Sequence, residues 1–183
     1  MNTRRTPNAS RWLLLSGLIV IADQLSKWVI VQSFDLYDSV TVNVILNIQR
    51  LHNFGAAFSF LGDQDGWQRW FFIILALVVC VVITVWLFKL PARGQWLLVS
   101  ALALVLGGAI GNVIDRIRFG YVVDFIQVHW RDAYFPTFNV ADIAISIGAG
   151  LLILDALLSR EPVAVEPVSE EDAATDQDKP VES

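Results

Sequence analysis

Two stretches of nineteen residues, 70–88 and 96–114, contain no charged side chain. A bilayer core about 30 Å thick needs roughly 20 helical residues at about 1.5 Å each. Each stretch therefore has the length and the apolarity to span a membrane. The rest of the composition agrees. Residues of the set AVILMFWYC make up 55% of the 183, only 17% are charged, and mean hydropathy is +0.56. A soluble chain carries roughly 25% charged residues and has no place to hide so much apolar surface. This excludes an ordinary cytosolic enzyme, a disordered chain and a nucleic-acid-binding domain. The net charge of −5 also opposes contact with a phosphate backbone. One cysteine, Cys80, excludes a disulfide framework within the chain, and two histidines, His52 and His129, do not make a His-rich metal site.

Two further segments of 21 residues are apolar but interrupted. Residues 12–32 contain Asp23 and Lys27; residues 138–158 contain Asp142 and Asp155. The pattern predicts an all-α membrane protein of four transmembrane helices, at about 12–32, 70–88, 96–114 and 138–158. Outer loops 33–69 and 115–137 then connect the helices, and the membrane domain covers 12–158. Trp12, Trp28, Trp67, Trp70, Trp86 and Trp96 fall near the expected helix ends, where indole rings prefer the headgroup boundary.

Lys and Arg in short flanks set the expected orientation. The flank 1–11 has Arg4, Arg5 and Arg11 and no acid, and the loop after the second helix has Lys89 and Arg93. Both belong in the cytoplasm. The first outer loop carries Asp35, Asp38, Asp63 and Asp65 against Arg50 and Arg69. The second carries Arg116, Arg118 and Arg131, which need a local reason to lie outside. The first helix has a basic start, but Asp23 and Lys27 interrupt it and no A-x-A site follows, so an uncleaved span is expected. The tail 159–183 is acidic, with eight acids and one Lys in residues 161–183, and is expected to be disordered and cytoplasmic.

Residues 40–49 nearly alternate, with Val40, Val42, Val44, Leu46 and Ile48 on one side, which predicts a strand against the membrane surface or a partner strand. Gly120-Tyr121-Val122-Val123 is a second short candidate. A small extracytoplasmic β-containing cradle follows from these two.

Charges inside spanning segments cost at least about 2.5 kcal/mol each on insertion scales, so they face protein or water. Asp23 and Lys27 stand at i, i+4 in the favourable order, either as a structural ion pair or as the wall of a polar site. Ala103, Gly107 and Gly111 form a small-residue face for close helix contact. Gly108, Asn112 and Arg116 lie on an adjacent face that turns polar toward the outer surface. Asp115 has a ready role as partner of a neighbouring arginine. Asp142 lies in the first turn of the fourth helix, where an acid caps free N–H groups, and Asp124 alone reads as a loop acid. Their joint position suggests more. Both lie near outer helix ends, among apolar residues. Two carboxyls facing one another share one proton, so that one takes a proton from water while the other hydrogen-bonds a carbonyl. Cys80 lies mid-helix without a base and reads as a packing residue. No phosphate loop, H-E-x-x-H or metal set is present.

Asn53-x-Gly55-Ala56-Ala57-Phe58, Gly108-x-x-x-Asn112-x-x-Asp115-Arg116, Val122-x-Asp124-Phe125 and Phe138-Asn139-x-Ala141-Asp142, together with Asp23, resemble the motif set of the lipoprotein signal peptidase (signal peptidase II) family. The resemblance covers roughly residues 12–158, with the motifs in the family's order. It implies a bacterial inner-membrane aspartic peptidase in which Asp124 and Asp142 are the catalytic pair. It implies that Asn53, Gly108, Asn112, Arg116, Asn139 and Ala141 line the substrate groove, Arg116 helping to hold peptide backbone or lipid-adjacent carbonyls. Asp23, Lys27 and Asp115 would support the site. The substrate implied is a prolipoprotein whose cysteine already carries diacylglycerol, cut just before that cysteine. Neither metal nor cofactor is implied; the partners are this substrate and membrane lipid, and a monomer is expected. Two rivals stand beside this reading. One is a proton- or ion-coupled transporter using the same acids. The other is a non-enzymatic scaffold with a lipid-facing loop, which leaves the acid pair unexplained.

Overall fold

The computed structural model describes residues 9–55, 67–91 and 94–159. A 3₁₀ turn, Ala9–Trp12, leads into α1 (Leu13–Ser33). There follow β1 (Ser39–Asn43), β2 (Leu46–Asn53), α2 (Trp67–Lys89), α3 (Trp96–Phe119), β3 (Val122–Trp130), β4 (Ala133–Tyr134) and α4 (Val140–Leu158). Four helices are long and apolar enough to cross a membrane. Large apolar side chains along α1, α2 and α4 stand exposed, among them Leu14, Leu18, Ile74, Val78, Val81, Ile147 and Leu154. Surfaces of this extent are matched by lipid, not by water.

α3 is the central helix, and its glycines explain why. In lipid, helices associate through close packing of small residues rather than through a hydrophobic drive. A Cβ on Gly107 would lie 2.8 Å from the Ser16 carbonyl of α1, and one on Gly111 would lie 2.6 Å from Asp23 Oδ2. Ser16 Oγ donates to the Ala103 carbonyl at 2.8 Å. The Ala103–Gly107–Gly111 face expected to pack closely is thus the face that receives α1. Gly108, one position on, faces the backbone of Ala141 in α4. Gly148 plays the same part from α4: a Cβ there would lie 2.8 Å from the Ala101 carbonyl of α3. α2 packs on the remaining side through Cys80, Ile83 and Leu87 against Val99, Leu102 and Leu106, so Cys80 is the packing residue expected.

The strands form one antiparallel sheet in the order β1-β2-β3-β4. It is fixed to the end of the bundle by a cluster of Ile30, Val123 and Phe125, with Val31, Phe34 and Val140 packed around it. Arg50 Nη1 donates to the Phe34 carbonyl at 2.9 Å beyond the end of α1, so β2 also closes that helix.

Four boundaries differ from the sequence expectation. α3 runs to Phe119 rather than 114, so Asp115, Arg116 and Arg118 are helical and not part of a loop. The apolar run ends at Ile114, but the helix ends at Gly120, which takes φ 86° and donates its N–H to the Arg116 carbonyl. The two arginines sit in the last turn, where cations suit the dipole. α4 begins at Val140 because Asn139 is its extended N-cap and Phe138 pairs with Ile126. α2 begins a turn earlier than expected, at Trp67. The single strand expected over 40–49 is a hairpin. Asn43 Oδ1 accepts the Ile45 N–H at 2.9 Å and turns the chain at Val44–Ile45, so the alternation continues through a turn. The tail from 160 and the flank 1–8 lie outside the described residues, as do Asp63, Asp65 and Arg93.

Candidate active site

Asp124 and Asp142 come from different layers and meet in one hydrogen-bond network. Asp124 is carried by β3 and is 2% exposed. Its register partner is Leu51 of β2, and the ladder shifts between Ile48 and Leu51, an irregularity of the kind that re-aims side chains beside active sites. Asp142 is the third residue of α4. Its position is set by a capping box: its N–H donates to Asn139 Oδ1 at 3.0 Å, and its Oδ2 accepts the Asn139 N–H at 3.2 Å.

Three asparagines address the two carboxyls. Asn53 Nδ2 donates to Asp124 Oδ2 at 2.9 Å, and Asn139 Nδ2 donates to Asp124 Oδ1 at 2.7 Å. Asn112 Nδ2 donates to Asp142 Oδ1 at 2.8 Å. Asn139 Nδ2 also reaches Asn112 Oδ1 at 3.2 Å, which joins the two halves. The amide of Asn53 is oriented by an Asx turn, because its Oδ1 accepts the Gly55 N–H at 2.8 Å. Gly55 takes φ 90°, and a Cβ there would fall 2.6 Å from the Phe72 ring, so only glycine fits.

Burial is the largest influence on Asp124. With the nearby Asp142 it raises the carboxyl pKa, and against the bonds from Asn53 and Asn139 and the charge of Lys27 the net value is about 6. The neighbouring His52 is turned the other way and stacks on Tyr121 at 3.7 Å. Burial, with Arg50 nearby, lowers its pKa.

Behind the pair lies a second polar cluster. Lys27 Nζ is 2.9 Å from Asp23 Oδ2 and 3.0 Å from Asp115 Oδ2, with all three side chains buried. Asp23 Oδ1 accepts the Ala141 N–H at 3.0 Å, and Asp115 Oδ2 accepts the Val123 N–H at 3.1 Å. Gln24 Nε2 adds bonds to Asp115 Oδ1 at 2.9 Å and to Asp23 Oδ2 at 3.2 Å.

The signal peptidase II family model matches residues 15–158. Proteins named lipoprotein signal peptidase are similar along most of the chain. That of Shewanella pealeana is 46% identical over 159 residues, covering 87% of this chain and 93% of its own. That of Pasteurella multocida is 48% identical over 149 residues, covering 81% and 90%. The chain belongs to the signal peptidase II family. Two solved structures, both of a bacterial membrane enzyme studied by the in meso method, agree in fold. The one at 1.9 Å resolution has a TM-score of 0.69 at 34% identity, covering 82% of this chain and 94% of its own. The one at 2.3 Å has 0.66 at 31%, covering 94% of each. Membership makes this chain a multi-pass membrane peptidase, and the transporter and scaffold readings fall.

Within this signal peptidase II chain, the residues expected at the site are found in three settings. Asp124, Asp142, Asn53, Asn112 and Asn139 form the network. Asp23, Lys27 and Asp115 form the supporting cluster, and Asp115 pairs with Lys27 rather than with an arginine. Gly108 and Ala141 lie in the α3–α4 contact: Gly108 abuts the Ala141 backbone, and Ala141 is fully buried. Asn112 and Asn139 are also buried, with their amides engaged by the carboxyls. Arg116 stands half-buried beside the pair, with its guanidinium 5.2 Å from the centre of the Phe72 ring. Its Nη1 is 3.5 Å from the Asn112 carbonyl. Phe72 and Gln24 escaped the sequence reading. Gln24 had a signal, a polar side chain beside Asp23 in an apolar helix, whereas Phe72 is one aromatic among many. Ala56, Ala57 and Phe58 of the first motif lie outside the described residues.

Proposed function

We propose that the chain is an aspartic endopeptidase that removes the signal peptide from diacylglyceryl-modified prolipoproteins, cutting before the lipidated cysteine. The observation that carries this reading is the pair itself: two carboxyls from separate elements tied through Asn139. Two carboxyls sharing one network hold one proton between their two titration steps. Asp124, with its raised pKa, keeps that proton, and Asp142 takes one from a water as the water oxygen attacks the scissile carbonyl carbon. Asp124 donates its proton to the carbonyl oxygen. As the tetrahedral adduct collapses the C–N bond breaks, the proton on Asp142 passes to the leaving amine, and one hydroxyl of the adduct returns its proton to Asp124 as the new carboxyl forms. No metal or cofactor is assigned a step.

Asn53 and Arg116 are half-exposed beside the pair, and we assign them to substrate backbone. Gly108 and Ala141 set the spacing of α3 and α4 instead. The basic N-terminal flank and Lys89 support a topology with both termini in the cytoplasm and the pair near the extracytoplasmic face. A diacylglyceryl anchor keeps its chains in lipid, which delivers the bond beside it at the depth of the pair and supplies orientation.

The test is cleavage of a lipid-modified precursor by Asp124→Asn and by Asp142→Asn in detergent. Each variant inserts, folds and loses cleavage by about 10⁴-fold or more. Cleavage near the wild-type rate by either one refutes the dyad.

A further inference from the structure

We propose that Lys27 is a positioning residue for hydrolysis: its ammonium fixes the Asn112 amide so that N–H, not carbonyl oxygen, faces Asp142. This rests on the aspartic reading above and adds to it a residue one bond removed from the reacting groups.

A side-chain amide is nearly symmetric in shape, so only its hydrogen bonds decide which end points where. Asn112 Oδ1 accepts from Lys27 Nζ at 3.1 Å and from Asn139 Nδ2 at 3.2 Å. Its Nδ2 donates to Asp142 Oδ1 at 2.8 Å. A flipped amide would set its own N–H groups against both donors and its oxygen against the Asp142 carboxyl. Asn139 alone holds the amide weakly, since its Nδ2 lies closer to Asp124 Oδ1, at 2.7 Å. Lys27 is the firm contact, and a charged donor makes the stronger bond.

Asp23 and Asp115 take two of the three N–H donors of the buried ammonium, and the third needs a partner as well. Lys27 directs its three donors to Asp23, Asp115 and Asn112, and the third is aimed at the site. Its charge also acts on Asp124, opposing burial and Asp142. The charged groups around this arrangement are Asp23 on α1, Asp115 and Arg116 on α3, Asp124 on β3 and Asp142 on α4.

The experiment compares wild type with Lys27→Met and with Lys27→Met/Asp115→Asn, using a lipidated precursor peptide in detergent. The double variant leaves a single formal negative charge in the cluster, that of Asp23. This equals the net charge of the two acids and the ammonium in the wild type. The amide oxygen introduced by Asp115→Asn still accepts from the Val123 N–H. Both variants are expected to lose about 10- to 100-fold in kcat, as for loss of one charge-assisted bond, with KM within about threefold. With the ammonium gone and both acids kept, as in Lys27→Met, Asp124 holds its proton more tightly, so the alkaline limb of the kcat/KM profile moves to higher pH; the double variant keeps the net charge of the cluster and tests the lost Asn112 bond through kcat. A purely structural lysine would lower the amount of folded enzyme and leave kcat per folded molecule in place. Folded variants with kcat within about threefold of wild type overturn the proposal. So does failure of both variants to fold, which would confine Lys27 to the scaffold. Asp124→Asn in the same assay separates the two readings: its activity would sink the dyad, whereas its inactivity beside fully active Lys27 variants would sink only the role of Lys27.

Discussion

Asp23 Oδ1 accepts the backbone N–H of Ala141 at 3.0 Å. Asp115 Oδ2 does the same for Val123 at 3.1 Å. Each acid therefore holds the residue immediately before a site aspartate, and Lys27 ties the two acids together. The dyad is positioned through its backbone from a polar cluster behind it. Asp23→Ala leaves a buried N–H and a buried ammonium short of a partner, and is expected to cost about 3–5 kcal/mol. Asp23→Asn keeps an acceptor and is expected to cost less. Thermal unfolding in detergent ranks them; an alanine variant as stable as the asparagine one would deny the bond its role.

The pH profile follows from the raised pKa of Asp124, about 6. In the proposed mechanism the working pair carries one proton, and rising pH strips it from Asp124. In the free enzyme kcat/KM is therefore expected to fall above about pH 6, by about tenfold per pH unit. Asn53 donates to the ionised form and holds the pKa down. Asn53→Ala moves the alkaline limb to higher pH while lowering the plateau. A limb that moves down, or stays, contradicts the assignment of that proton.

The glycines of the bundle are not equivalent. Gly111→Ala drives a Cβ to 2.6 Å from Asp23 Oδ2, whereas a Cβ on Gly150 meets nothing within 4 Å. The first is expected to cost about 1–3 kcal/mol by overpacking and to lower turnover through Asp23. The second is expected to stay within about 0.5 kcal/mol of wild type. Unfolding temperatures and precursor cleavage of the two variants check the contrast.

Chelation gives an independent test of the chemistry. With protonation handled by two carboxyls, cleavage is expected to be indifferent to EDTA. Strong inhibition that zinc reverses would replace the proposed mechanism with a metal-dependent one.

Much of this was legible in the chain. The two uncharged stretches marked α2 and α3, because length and apolarity in a bilayer leave little choice. The recurrence of Ala103, Gly107 and Gly111 marked the face that meets α1. The capping role of Asp142 was readable from its place. The ends were harder. Hydropathy stops at the first charge, whereas α3 stops at the backbone signal of Gly120, so Asp115 and Arg116 were read as loop. Alternation over 40–49 did not reveal a turn, because Val44 continues the period while Asn43 reverses the chain. Gly108 and Ala141 carried family motif positions, yet motif membership does not tell a wall residue from a spacer; only the helix contact does. The partners of Lys27 beyond α1 were out of reach, since they depend on three helices converging.

In the proposed mechanism Asp142 is at once a reactant and the stitch that begins α4, because its Oδ2 accepts the Asn139 N–H. Whenever turnover places a proton on that oxygen, the stitch slackens and the helix start is free to breathe. Asn139, which grips Asp124 with its other end, feels the same slackening. Each catalytic cycle thus plucks the frame that aligns it, and resetting the frame is coupled to releasing the proton.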